Sequence, residues 1–308
     1  MSLTRVVCVV GPTGSGKSAL AERVAAGLDG EIISIDAMQV YRGMDIGTAK
    51  TPRAARSCAL HMVDIVDVRI PYSVSLFQRD ARMCVDDVSA RNRVPILCGG
   101  TGLYLDAVID EMSFPKGGQE SANRVRYEAY AAAHGSDALH DLLRQRDARS
   151  AALIHPNNRR RVVRALEMLD EGKSYAVHHE GLKSREKHYD AVIWGIEIDR
   201  IVLYKRLDAR VDDMIAQGLV DEVRRLAGQG LRESATASQA IGYKEILQYI
   251  DGRIDLEDAT SLIKRNTRRY AKRQCSWLKR DGRVRWLDAN HMTIDRMADR
   301  ICHEWRTS

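Results

Sequence analysis

The octapeptide Gly11-Pro12-Thr13-Gly14-Ser15-Gly16-Lys17-Ser18 has the spacing GxxxxGK followed by Ser, the pattern of a phosphate-binding loop. Its glycines let the backbone curl so that successive N–H groups point inward at phosphate oxygens, where a following helix N-terminus adds partial positive charge. Lys17 is long enough to reach a terminal phosphate, and the Ser18 hydroxyl suits a magnesium ion bridging phosphate oxygens. Such a loop recognises phosphate geometry and not the attached group, so it specifies a polyphosphate, with a nucleotide such as ATP as the ordinary ligand. Asp36 follows in Ile32-Ile33-Ser34-Ile35-Asp36. Its carboxylate is a candidate general base for an acceptor, with an outer magnesium ligand and a helix cap as alternatives. Gly99-Gly100-Thr101-Gly102 offers a second glycine turn with a hydroxyl at Thr101. No hydrophobic run ending in Asp precedes that turn, which counts against a motor or signalling NTPase.

These residues need a scaffold that gathers them, and the chain alternates strand-like and helix-like segments around them. The patterns predict strands over Arg5–Val10, Glu31–Asp36, His61–Val66 and Val94–Cys98. Helices are expected over Ser18–Leu28 and Val74–Ala90, with another starting near Gly102. Carboxyl ends of parallel strands face the ligand crevice, so the phosphate loop, Asp36 and the 99–102 turn belong together. Pro115-Lys116-Gly117-Gly118 reads as a linker, and the stretch to Tyr189 has only helical periodicity. The chain returns to a strand at Ala191–Ile198. Helices then follow over Val202–Gln217, Val220–Gly228, Ala237–Ile250 and Leu256–Lys279, with a short strand at Arg283–Leu287 and a terminal helix. The expected fold is α/β, a P-loop NTPase-like parallel sheet core (1–114 and 190–308) with an inserted helical domain (115–189).

With 308 residues, 44% hydrophobic and 29% charged, the chain can bury a sizeable core and is too apolar for disorder. It has neither a membrane-spanning run nor a secretory leader pattern. Six dispersed cysteines, Cys8, Cys58, Cys84, Cys98, Cys275 and Cys302, form no CxxC pair and no zinc spacing, so a cytoplasmic protein with reduced thiols and no zinc is expected. His178, His179 and His188 have no second ligand pair and read as a solvated loop. The net charge of +6 is unevenly spread. Arg159, Arg160, Arg161 and Arg164 carry +4, Lys264 through Arg280 carry +8, and the remainder is at −6. Two acid-free basic stretches suggest a polyanionic partner such as nucleic acid, or else solvated helix faces. From the residues alone, a small-molecule kinase using Asp36 to orient an acceptor hydroxyl, and a nucleic-acid-binding protein without catalysis, both stay open.

Beyond the phosphate loop, the chain carries Ile33–Lys50 (ISIDAMQVYRGMDIGTAK), GGTGLYL at Gly99–Leu105, IHPNNRRRVVRALE at Ile154–Glu167, IGYKE at Ile241–Glu245 and KRQCSWLK at Lys272–Lys279. In this order it resembles the tRNA dimethylallyltransferase family, also called tRNA isopentenyltransferases. The resemblance implies transfer of a dimethylallyl group from dimethylallyl diphosphate to N6 of the adenosine at tRNA position 37, with magnesium assisting and pyrophosphate leaving. It implies a diphosphate in the loop Gly11–Ser18, Asp36 as base, Thr101 hydrogen-bonded to the leaving oxygen, and Arg210 reaching the pyrophosphate. It places contacts to the tRNA anticodon stem-loop at Asp36, Ala37, Met38 and Gln39, and at Thr101 and Arg124. Further contacts are implied at Arg160, Arg161, Val162, Val163 and Arg164, at Gln239, Ala240, Ile241, Gly242, Tyr243 and Lys244, and at Lys272, Arg273, Gln274, Cys275, Ser276, Trp277, Leu278 and Lys279. Departures from the pattern are Ala37 for a frequent Ser, Lys244 for a frequent Arg, and no Asp-Pro before Arg124. No C-terminal Cys/His finger of eukaryotic members follows, which implies the bacterial type.

Overall fold

The side chains of the first strand alternate between two hydrophobic cores. In β1 (Arg5–Val10), Val6, Cys8 and Val10 pack into one cluster and Val7 and Val9 into another, as the two-residue period of a strand covered on both faces requires. The computed structural model describes residues 3–114, 121–181 and 186–307. The linker read at Pro115–Gly118 lies outside them.

After β1 come α1 (Lys17–Leu28), β2 (Gly30–Ser34), β3 (Leu60–His61), α2 (Val74–Ala90), β4 (Val94–Gly99) and α3 (Gly102–Ile109). The next helices are α4 (Ala122–Arg146), α5 (Ala148–Leu153), α6 (Arg159–Asp170) and α7 (Tyr175–Gly181). The chain continues through β5 (Asp190–Glu197), α8 (Arg200–Ala216), α9 (Leu219–Gly228), α10 (Tyr243–Ile250), α11 (Leu256–Leu278), β6 (Arg285–Asp288) and α12 (Ile294–Thr307). Local chemistry marks several starts: Ser73, Asp199 and Asp255 each accept backbone N–H bonds at the N-cap of α2, α8 and α11, as expected of short oxygen-bearing side chains.

Two compact units result, residues 1–110 with 187–308, and residues 111–186. In the larger, the described strands form one sheet in the order β3-β2-β4-β1-β5-β6, with every neighbouring pair parallel. One face packs α1 and α12 side chains, including Leu20, Val24, Met297 and Ile301; the other buries Phe77, Val108, Leu226, Ile246 and Ile263. Fully buried aliphatic and aromatic side chains of this kind contribute about 1.5–3 kcal/mol each. The smaller unit has its own core of Tyr127, Leu139, Leu143, Val162 and Leu166. Its boundary departs from the expected 115–189 because Asp110 bridges Lys187 and Glu111 N donates to Glu186 O at 2.7 Å, closing the larger unit earlier on both sides.

Three element boundaries differ from expectation for identifiable reasons. The strand predicted over His61–Val66 stops at His61, because Met62 and Asp64 take left-handed backbone (φ 62° and 56°), which breaks the pleat. The helix predicted over Ala237–Ile250 divides into a short turn, Ala237–Gln239, and α10, interrupted at Gly242 with φ 95°. The second strand ends at Ser34, so Asp36 stands in the turn beyond it.

Candidate active site

Three loops leave the carboxyl ends of adjacent strands at one level, since Val10 is in register with Gly99 and Ser34 with Cys98. They are the phosphate loop after β1, the turn at Asp36 after β2, and the glycine turn after β4. Gly14 and Gly16 hold φ values of 78° and 91°, a left-handed backbone that favours glycine. Gly16 caps α1 without a side-chain bond, so the N–H groups of the first turn face outward unsatisfied, as an anion requires.

The charges there are arranged for an anion. Lys17 Nζ donates to Pro12 O at 3.4 Å, and burial pulls its ammonium below the ordinary lysine range, with Asp36 opposing and Arg210 adding to the fall. Burial also lowers Arg210, again with Asp36 opposing, and its Nη1 reaches Thr13 Oγ1 at 3.5 Å. Two partly desolvated cations beside one carboxylate leave positive charge that a diphosphate would neutralise. The Ser15 hydroxyl is buried without a partner, a further unfilled donor within the loop.

Two cavities meet at this point. The smaller, about 130 Å³, is lined by Lys17, Ser18, Glu22, Arg56, Ile32, Leu60 and Cys98. The larger, about 410 Å³, is lined by Ala37, Met38, Ile241, Met214, Ile263, Tyr270 and Arg273. Thr13, Asp36, Thr48 and Arg210 line both. At this junction Asp36 Oδ1 accepts from Met38 N at 2.8 Å and Gln39 N at 3.4 Å. Asp36 thus caps a turn and not a helix, and these bonds engage one oxygen and leave the other for chemistry. Ser18, Glu22 and Asp36 supply hard oxygen atoms around the small cavity, a fit to magnesium shared with phosphate oxygens. Among the described residues no group of three His, Cys, Asp or Glu side chains could hold a metal without that help.

The loop carrying Asp36 is fixed from a distance. Glu222, buried on α9, accepts from the backbone N–H groups of Asp45, Ile46 and Gly47 at 3.1, 2.8 and 3.2 Å, and from the Tyr243 hydroxyl at 2.6 Å. Lys50 Nζ ties the loop's end to Tyr41 O, Asp45 and Asp64. Gln39 is held between Ser34 and the Thr48 carbonyl. Neither Glu222 nor Lys50 carries a local sequence signal for this role, because the partners are distant or backbone.

The remaining residues expected at the site differ in exposure. Arg160 and Arg161 at the start of α6 are exposed, as are Gln239, Lys272, Arg273, Ser276 and Lys279; Trp277 is 36% exposed. Ala37, Met38, Ile241, Lys244 and Cys275 are partly exposed. Against expectation, Val162 and Val163 lie in the core of the smaller unit, and Ala240, Gly242, Tyr243, Gln274 and Leu278 are buried in the larger. On α6, α10 and α11 a contiguous window necessarily turns part of its length inward, which accounts for Val162, Val163, Tyr243, Gln274 and Leu278. Arg124 pairs with buried Glu167 at 3.0 Å, and Arg164 lies 3.6 Å from the same carboxylate. Thr101 lines neither cavity; its Oγ1 is shielded without a well-formed hydrogen bond, with the Tyr270 phenol beside it. Tyr270 itself lines the larger cavity.

The model of the IPP transferase family matches residues 39–281. The chain belongs to that family. A tRNA dimethylallyltransferase of Carboxydothermus hydrogenoformans is 43% identical over 302 residues, 97% of each chain. The solved tRNA isopentenylpyrophosphate transferase of Bacillus halodurans superposes with a TM-score of 0.73 at 39% identity, covering 99% of this chain and 96% of that one. A eukaryotic dimethylallyltransferase acting on tRNA gives 0.77 at 29% identity, over 93% and 74% of the two chains. The P-loop NTPase-like fold of this IPP transferase is thus shared with solved enzymes. Family membership supports a prenyl-transferring enzyme and not the small-molecule kinase.

Proposed function

We propose that this IPP transferase carries a dimethylallyl group from dimethylallyl diphosphate to N6 of adenosine at position 37 of tRNA, beside the anticodon. The observation that carries this reading is Asp36 at the junction of two cavities, one bearing half-buried cations and the other apolar and aromatic side chains. The diphosphate suits the loop Gly11–Ser18, and the larger cavity suits a purine drawn out of its stack. The exocyclic amine is a weak nucleophile because its lone pair is delocalised into the ring. The Asp36 oxygen not engaged by Met38 and Gln39 takes the amine proton as the N6–carbon bond forms and the allylic carbon–oxygen bond breaks. The electron pair leaves on pyrophosphate, where Lys17, Arg210 and the loop N–H groups stabilise it. Magnesium bound by Ser18 and phosphate oxygens would add charge neutralisation on that leaving group.

Exposed Arg160, Arg161, Lys272, Arg273 and Lys279 supply cations for the phosphates of an anticodon stem-loop, and Trp277 supplies a stacking face. Thr101 suits the leaving oxygen only if its hydroxyl is exposed on substrate entry. Six free thiols and a tRNA substrate support a cytoplasmic location; among the described residues no helix is long and apolar enough to cross a membrane. Incubation with magnesium, an anticodon stem-loop RNA and either dimethylallyl diphosphate or ATP, read by RNA mass spectrometry, tests the proposal. A gain of one dimethylallyl group with the prenyl donor alone is expected. Unchanged RNA mass with ATP consumed would overturn it.

A further inference from the structure

A glutamine on the apolar stripe of an amphipathic helix has to find partners for both ends of its amide, or it costs stability. On α11 the stripe runs through Ile263, Ala271 and Leu278, all buried, and Gln274 lies on it with 5% of its surface exposed. Its partners are two backbone groups on separate loops. Gln274 Oε1 accepts from Thr13 N in the phosphate loop at 2.9 Å, and Nε2 donates to Gly100 O in the glycine turn at 3.0 Å. The approach is close enough that a Cβ at residue 100 would stand 2.3 Å from Nε2 and 2.7 Å from Gly11 O, which accounts for glycine there. The two loops are otherwise joined by a long bond, Gly11 N to Gly99 O at 3.4 Å.

We infer that Gln274 is a positioning residue that clamps the phosphate loop to the 99–102 turn, fixing the donor diphosphate rather than touching RNA. The inference rests on the prenyl-transfer reading for what the donor is, and on the two hydrogen bonds for the clamp. With Thr13 N committed to Gln274, the loop that follows it is held in place, and Thr101 is held beside Tyr270. Loss of the clamp leaves the charges in place and frees their geometry. Displacements near 1 Å are enough to impair a positioned reaction strongly.

Gln274→Met keeps the volume and removes both hydrogen bonds. Pyrophosphate affinity is expected to fall, and the KM for dimethylallyl diphosphate to rise, by about tenfold, the loss of one or two buried hydrogen bonds. Affinity for an anticodon stem-loop RNA stays within about twofold of the unaltered enzyme. Gly100→Ala, which neither adds nor removes a polar group that RNA could meet, displaces the same amide and also presses on Gly11 O, so its donor-side loss is expected to be at least as large. An RNA affinity that falls while pyrophosphate affinity holds would overturn the inference. If the unaltered enzyme transferred no dimethylallyl group, the prenyl-transfer reading would fail, while the pyrophosphate measurements would still decide the clamp.

Discussion

Asp36 divides its carboxylate between structure and chemistry. One oxygen orders the turn through Met38 and Gln39, and the other is not engaged by them, on a side chain that lines both cavities. Lys17 shows the same economy from the charge side, since its depressed ammonium is what a buried anion site produces. In the free enzyme, pyrophosphate affinity should therefore weaken as pH rises through a value below that of an ordinary lysine, because the ammonium deprotonates there and the attraction disappears. Pyrophosphate titrations across alkaline pH check this; Lys17→Arg should move the alkaline limb upward, and an unmoved limb would remove Lys17 as its cause. Arg210→Gln should raise the KM for the donor by about tenfold while RNA affinity holds, the effect of removing one charge-assisted hydrogen bond. At this scale the sequence was legible where geometry is local, as in the left-handed glycines of Gly11–Ser18. It was opaque for Gln274, whose partners are 261 and 174 residues away.

The loop from Asp36 to Lys50 works as an element only because α9 and α10 hold it. Its apex has three backbone N–H groups directed at one carboxylate, Glu222, and Tyr243 adds a fourth donor. Tyr243→Phe should lower the free energy of unfolding by about 1–2 kcal/mol, the cost of one hydrogen bond to a buried charged acceptor, as read from urea transitions. A stability unchanged by Tyr243→Phe would show that the backbone donors suffice. Periodicity located the sheet strands and the long helix α11, because alternation and the three-to-four spacing follow directly from burial. It missed the breaks at Met62, Asp64 and Gly242, where backbone of positive φ decides and the apolar pattern runs on regardless.

For the whole molecule, two electrostatic features lead to separate tests. Glu31 sits buried on β2, one strand in from the sheet edge, where hydrogen bonds from Arg91, then from His61, outweigh burial and hold its carboxyl at about 2 against an ordinary 4.5. A carboxyl depressed in the folded state adds stability above its unfolded value, and that stability is lost as pH falls from about 4.5 towards 2. Glu31→Gln should remove about 2 kcal/mol of stability at neutral pH, allowing for the half-exposed Arg91, and flatten the acid limb of a stability profile. An acid limb as steep as before would assign it to other carboxylates. The basic stretches concern the partner. Arg161→Glu with Lys272→Glu should weaken RNA binding and reduce its salt slope by about 0.7–0.9 for each phosphate no longer neutralised; an unchanged slope would show that these side chains do not meet phosphate. Charge distribution suggested such a partner, with solvated helix faces as the alternative, but only the structure separated outward Lys272 and Arg273 from inward Gln274 and Leu278.

The central claim, that Asp36 takes the amine proton between a diphosphate cavity and a base cavity, is tested most directly with Asp36→Asn. Asparagine keeps the oxygen that caps the turn and loses the base. The rate at which a saturating donor and an anticodon stem-loop RNA yield dimethylallylated RNA should fall by about 10² or more, while pyrophosphate and RNA affinities stay within about twofold. Turnover undiminished in Asp36→Asn would contradict the account.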